Sequence, residues 1–161
     1  MFTLECTQKL LDQLNRLPSG KPPIPTTRLG DWCGNVVPWH GSRLVLLVSM
    51  RSLLPVLLPV LPVQDLLELF PRALAQVLVS LGVAPSRIEE EIREMAEPCL
   101  ARTTSRRILG SMTDFVYLLD GHPPGEVDLT QLALSLAQAP CSPIGMRSPR
   151  EVAKELLQAG E

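Results

Sequence analysis

Between Leu44 and Phe70 the chain is almost continuously apolar, and the way that run is broken limits what it can fold into. Arg51 interrupts it after seven residues, and Pro55, Pro59 and Pro62 follow in quick succession. A spanning helix needs ~20 apolar residues without such breaks, so a transmembrane reading is rejected. Two strands fit better: Leu44 to Ser49 as a continuous apolar strand, then Leu53 to Leu61 as an extended piece at a sheet edge, where proline costs least.

The remaining patterns surround those strands with helices. Phe2 to Cys6 alternates as a short strand, and Thr7 is placed to cap a helix over Gln8 to Arg16 with Leu10, Leu11, Leu14 and Leu17 on one stripe. Lys21 to Thr27 is too rich in proline for a helix or a central strand and should be an extended loop. Asp31 to Val37, followed by the Leu44 run, reads as a β-hairpin joined by a Gly-Ser turn at Gly41 and Ser42. Val63 to Leu81 carries leucines at helical spacing, closed by Gly82. Ser86 to Ala96 is expected to be helical with Ser86 as its N-cap, and Glu97 to Arg102 to be a strand. Asp128 to Gln138 and Ser148 to Gln158 close the chain as helices, the second with Ser148 as N-cap, Pro149 at the first position and Glu151 at the third. The expected fold is α+β: a small antiparallel sheet with about five helices packed mainly on one face.

At 161 residues and 45% apolar content there is material for one real core and little room for two, so a single domain over 1–161 is expected. Fifteen Lys and Arg against 17 Asp and Glu leave a net charge of −2, and no global field draws the chain to nucleic acid or an anionic membrane. Cys6, Cys33, Cys99 and Cys141 lie far apart with no C-x-x-C pair and no secretory leader before them, which points to free thiols in the cytoplasm.

Polar chemistry concentrates in Thr103 to Asp114. Ser111-x-x-Asp114 is an acidic relative of the capping box, so a helix is expected to begin at Ser111 and run to Gly121. Arg102, Thr103, Thr104, Ser105, Arg106 and Arg107 would then form a cationic loop feeding a helix N-terminus, with Ser111 and Asp114 beside it. That is how a phosphate or carboxylate site is built. The same arginines also suit ion pairs with Glu89, Glu90, Glu91 or Asp114, which would only tie the loop down. Asp31, Trp32 and Asn35 combine a carboxylate, an indole and an amide, which suits a polar ligand or a stacked base. The plainer alternative makes Trp32 a core plug and gives Asp31 and Asn35 to the turn backbone. His40 and His122 have no partners at metal-ligand spacing, so neither a metal nor a cofactor is expected. Ser111 lacks the second glycine of the G-x-S-x-G elbow, which leaves no hydrolase signature.

Three segments taken together resemble a prokaryotic family of domains of unknown function. Leu29-Gly30-Asp31-Trp32-Cys33-Gly34-Asn35 is similar to its LGDWYAN motif. Thr103 to Phe115 is similar to TNxRSxLGSMNDF, and the stretch from Ala139 to Pro149 to TPxxxLxxxSP. The chain departs from these patterns at Cys33, Gly34, Thr104, Arg107 and Thr113, which alters any site that the family's polar side chains form. The resemblance implies no known activity.

The reading that follows is a non-enzymatic binding domain that uses the 102–114 loop, with Asp31, Trp32 and Asn35 facing the same cleft, to hold a small anionic ligand or a protein partner. Nucleic acid bound through Arg106 and Arg107 is the alternative, and an enzyme resting on Asp31 or Asp114 comes third. Homo-oligomerisation through an apolar sheet edge stays open.

Overall fold

β1 (Phe2–Cys6) leads through α1 (Gln8–Leu14) to β2 (Trp32–Trp39), which turns directly into β3 (Ser42–Ser49) and then β4 (Pro55–Pro59). The chain continues through α2 (Val63–Ser80), α3 (Pro85–Glu94), β5 (Pro98–Arg102), α4 (Arg106–Asp120), α5 (Leu129–Leu136), a 3-10 turn at Ser142–Ile144 and α6 (Pro149–Gln158). This computed structural model describes residues 1–125 and 127–159. The fold is α+β, with six α-helices among the described residues where about five were expected.

The sheet order is β4-β3-β2-β1-β5, and it is mixed rather than antiparallel. β2 pairs antiparallel with β3, and β3 with β4, whereas β1 runs parallel to both β2 and β5. The cause is the connections. α1 lies between β1 and β2 and carries the chain back before the second strand begins, which produces parallel neighbours. β5 arrives after two helices and takes the free edge of β1.

The helices cover both faces, not mainly one. Successive strand residues point to opposite sides. A Cβ added at Gly34 would lie 2.7 Å from a methyl of Leu10 in α1, while the neighbouring Cys33 thiol donates to the Met112 sulfur of α4 at 3.8 Å. α1 and α4 therefore sit on opposite faces. Trp32 shares the Gly34 face and meets Phe70 of α2 edge-to-face at 5.0 Å, with Phe2 on the same ring at 6.0 Å. Offset or edge-to-face contacts of this kind add to the burial of large rings.

Several boundaries follow local chemistry. The turn between β2 and β3 is His40-Gly41, both at positive φ (46° and 77°), so the two-residue type I′ geometry sets it and Ser42 already belongs to β3. α1 stops at Leu14 because Asn15 takes a left-handed cap at φ 53°. α3 begins with Pro85 at its first position, not with a Ser86 cap, since proline's fixed φ suits a helix start. β4 lies at the sheet edge, as its prolines require, and they occupy its first and last positions. α2 passes through Pro71 as one helix. Asp128 caps α5, and Ser148 caps α6, its Oγ accepting from Glu151 N–H at 3.4 Å while its hydroxyl donates to the Glu151 carboxylate at 2.9 Å.

Candidate functional site

β1 and β5 are adjacent and parallel, and the helices that follow them diverge: α1 to one face of the sheet, α4 to the other. In sheets with parallel strands, ligands bind in the crevice that such a divergence opens beyond the carboxyl ends. The strand pairing runs on toward those ends. Thr103 N–H donates to the Cys6 carbonyl at 2.9 Å, and Thr7 N–H to the Gly34 carbonyl at 3.0 Å, so pairing continues one residue past each strand.

Three residues, Thr103 to Ser105, link β5 to α4. The Thr103 hydroxyl accepts from Ser105 N–H at 3.4 Å, and Ser105 Oγ accepts from Ile108 N–H at 3.3 Å. Ser105 is therefore the N-cap, and the expectation of a helix start at Ser111 is corrected. Ser111 lies buried inside α4, its hydroxyl donating to the Arg107 carbonyl at 3.4 Å. Both serines have capping chemistry. Ile108 pointing into the core decides between them, because a start at Ser111 would leave that residue outside the helix that buries it.

The charged residues then separate by role. Arg107 donates to the Pro143 carbonyl at 2.8 Å and ties α4 to the 3-10 turn. Arg102 and Arg106 are exposed and, among the described residues, their guanidiniums make no ion pair or hydrogen bond. Arg106 is the first residue of α4, so its N–H and that of Arg107 have no acceptor within the helix. Thr104 is exposed beside them. Asp114 is exposed further along α4, and its charge, after burial, helps hold the Cys141 thiol above its ordinary pKa.

Glu89, Glu90 and Glu91 do not reach these arginines. Glu90 pairs with Arg87 at 3.4 Å. Glu91 is 2% exposed and accepts from the backbone N–H groups of Arg28 and Leu29 at 2.7 and 3.0 Å, closing the loop before β2. Burial raises its pKa, against the lowering effect of those two bonds and of the charges of Arg28 and Arg51. Nothing in the sequence around Glu91 distinguishes it from its two acidic neighbours except a helical position that faces inward.

Asp31, Trp32 and Asn35 do not share a cleft. Trp32 is fully buried against Phe70 and offers no surface to a base; its indole N–H has no partner among the described residues. Asp31 accepts from Thr3 N–H at 2.8 Å, and Asn35 accepts from the Thr7 hydroxyl at 2.6 Å. Both stitch β1 to β2. Asn35 and Trp32 are an odd number of residues apart on one strand and so point to opposite faces.

One residue before the end of β1 is a group that no motif announced. Glu5, half-buried on β1, has its pKa raised by burial and then by the charge of Asp31. Its neighbours Cys6 and Cys33 are pushed up to about 12 and about 11, mainly by burial, so both thiols stay protonated and are poor nucleophiles at neutral pH. His122 lies 3.2 Å from the Ser135 hydroxyl on the exposed surface, and its carbonyl bonds the His40 ring. Among the described residues, no third side chain orients that pair. Among the described residues, no three His, Cys, Asp or Glu side chains gather as a metal site, and no helix is long and apolar enough to cross a membrane.

The family model described as a domain of unknown function (DUF6933) matches residues 3–152 of the chain. Neither a curated protein nor a solved structure matches it. The chain belongs to the DUF6933 family, whose activity is unassigned.

Proposed function

We propose that this DUF6933 domain acts by binding a small phosphorylated or carboxylated molecule in the crevice between the ends of β1 and β5. The observation that carries the reading is the divergence of α1 and α4 to opposite faces from adjacent parallel strands, the arrangement beyond whose carboxyl ends ligands bind in parallel sheets. Backbone N–H groups without acceptors and the positive end of the helix dipole favour an anion there. Arg102 and Arg106 supply unpaired guanidiniums, and Thr103, Thr104 and Ser105 supply hydroxyls around the same three-residue link. Arg107 braces the loop and Asp114 stands away from it. Asp31 and Asn35 hold β1 and β2 together beneath the crevice and serve it indirectly. The proposed setting is the cytoplasm of a prokaryote, consistent with four free cysteines.

The enclosure of Trp32 removes the stacking platform on which a nucleic-acid reading relied, which favours a compact ligand. A thermal-shift screen of wild type, Arg106→Ala and Arg107→Ala against nucleotides, phosphosugars and short DNA and RNA tests the proposal. The expected result is a concentration-dependent rise in Tm with a phosphosugar or nucleotide. It should be lost in Arg106→Ala and kept in Arg107→Ala, which should itself melt lower. A response to DNA or RNA alone that vanishes with moderate salt would replace this reading with nucleic-acid association. No response in any arm would retire it.

A further inference from the structure

A cavity on the α1 face of the sheet has the character of a ligand site. β1 ends opposite Gly34, but β2 and β3 continue to the His40-Gly41 turn, so the hairpin projects beyond its neighbour. Pro38 is the cross-strand partner of Arg43, and both lie on the same face as Val36 and Gly34. α1 covers Gly34 with Leu10 and begins one residue after Thr7, so only its first turn reaches the projecting part. A cavity of about 350 Å³ results, lined by Val36, Val37, Pro38, Lys9 and Arg43.

Its walls are apolar, and among the described residues the charges that line it are two cations. Lys9 and Arg43 are exposed and, among the described residues, neither side chain has an ion pair or hydrogen bond. They belong to separate elements, α1 and β3, at the mouth of one apolar hollow. Ligand sites typically combine an apolar lining with a few polar groups that fix orientation, at volumes upward of ~300 Å³. The geometry points to a binding site for a small amphipathic anion, an aliphatic carboxylate whose chain lies on Val36 and Pro38 while its head group bridges Lys9 and Arg43. A guanidinium offers a carboxylate two parallel donors, and an ammonium adds a third at a flexible distance. The site is separate from the β1/β5 crevice and does not depend on it.

Octanoate and its neutral analogue octanamide are the probes, titrated by calorimetry into wild type, Lys9→Ala/Arg43→Ala and Arg106→Ala. Both cations are exposed, so the double variant should fold normally, which its melting curve verifies. Wild type should bind octanoate saturably and at least tenfold more tightly than octanamide. The double variant should lose at least tenfold in octanoate affinity, and Arg106→Ala none. Equal binding of octanoate and octanamide, unchanged binding in the double variant, or no saturable binding in wild type would each overturn the assignment. Loss of octanoate binding in Arg106→Ala would move the ligand to the crevice and overturn it as well.

Discussion

Asp31, Trp32 and Asn35 at the start of β2 and Arg102, Ser105 and Arg106 around the start of α4 are both clusters of polar and aromatic residues next to a fold transition, yet they have opposite fates. The first is absorbed by the fold: Trp32 fills the core, and the other two side chains bond Thr3 in β1 and Thr7 just beyond it. In the second, Ser105 caps the helix and the two arginines stay free in solvent. Strand residues belong to two faces at once, so a cluster written consecutively along a strand is split by the pleat. A loop that feeds a helix keeps its polar groups on one side, because the orphan N–H groups all point back along the axis.

The comparison breaks most visibly at Trp32. Trp32→Ala should cost about 3–5 kcal/mol, the range for deleting a buried aromatic ring, and urea melts would measure it. A loss below 1 kcal/mol would mean that the ring is not the core plug described here.

Glu91 tests whether a charge can belong wholly to the fold. Glu91→Gln can accept only one of the two backbone N–H bonds without turning a donor toward the other, so a loss of about 1–3 kcal/mol is expected. The pH dependence has a defined sign. The folded pKa of Glu91 lies above the ordinary value of 4.5, so in that window the folded state binds more protons than the unfolded. Its contribution to stability therefore grows as pH falls from the raised pKa toward 4.5 and is lost as pH rises through it. Glu91→Gln should flatten that part of the stability curve relative to wild type.

The smallest expected effect separates the two serines of α4. Ser105→Ala removes the cap and should cost about 1 kcal/mol. Ser111→Ala removes only a hydroxyl bonded to the preceding turn and should change stability by less than about 0.5 kcal/mol. Equal losses from the two variants, in parallel denaturant melts, would return the helix start to Ser111.

Much of the secondary structure was legible. The proline-broken apolar run gave β3 and the edge strand β4, and the Ser148-Pro149-x-Glu151 signature gave α6 with its cap. Periodicity placed α2 within a residue at each end. At α4 local rules were ambiguous, because Ser105 and Ser111 both satisfy them and only the burial of Ile108 separates the two. For the candidate site, the loop from Arg102 to Arg107 was visible as a concentration of donors, but the different roles of Arg106 and Arg107 were not. Glu5 and Glu91 carried no signal, since one is an ordinary strand residue and the other is the third of three consecutive glutamates.

By itself, the sequence determined which segments are strands and helices and where most of them stop, because propensity, capping and proline act within a few residues. Its motifs also indicated a family of unknown function, and the match over residues 3–152 agrees. Tertiary structure alone decided that β1 runs parallel to two neighbours, that helices lie on both faces, and that Trp32 is enclosed while Arg106 is free. Each of these depends on contacts between residues tens of positions apart. Strand direction, facing and burial are set by how whole elements cover one another's apolar surface, and no local pattern carries that information.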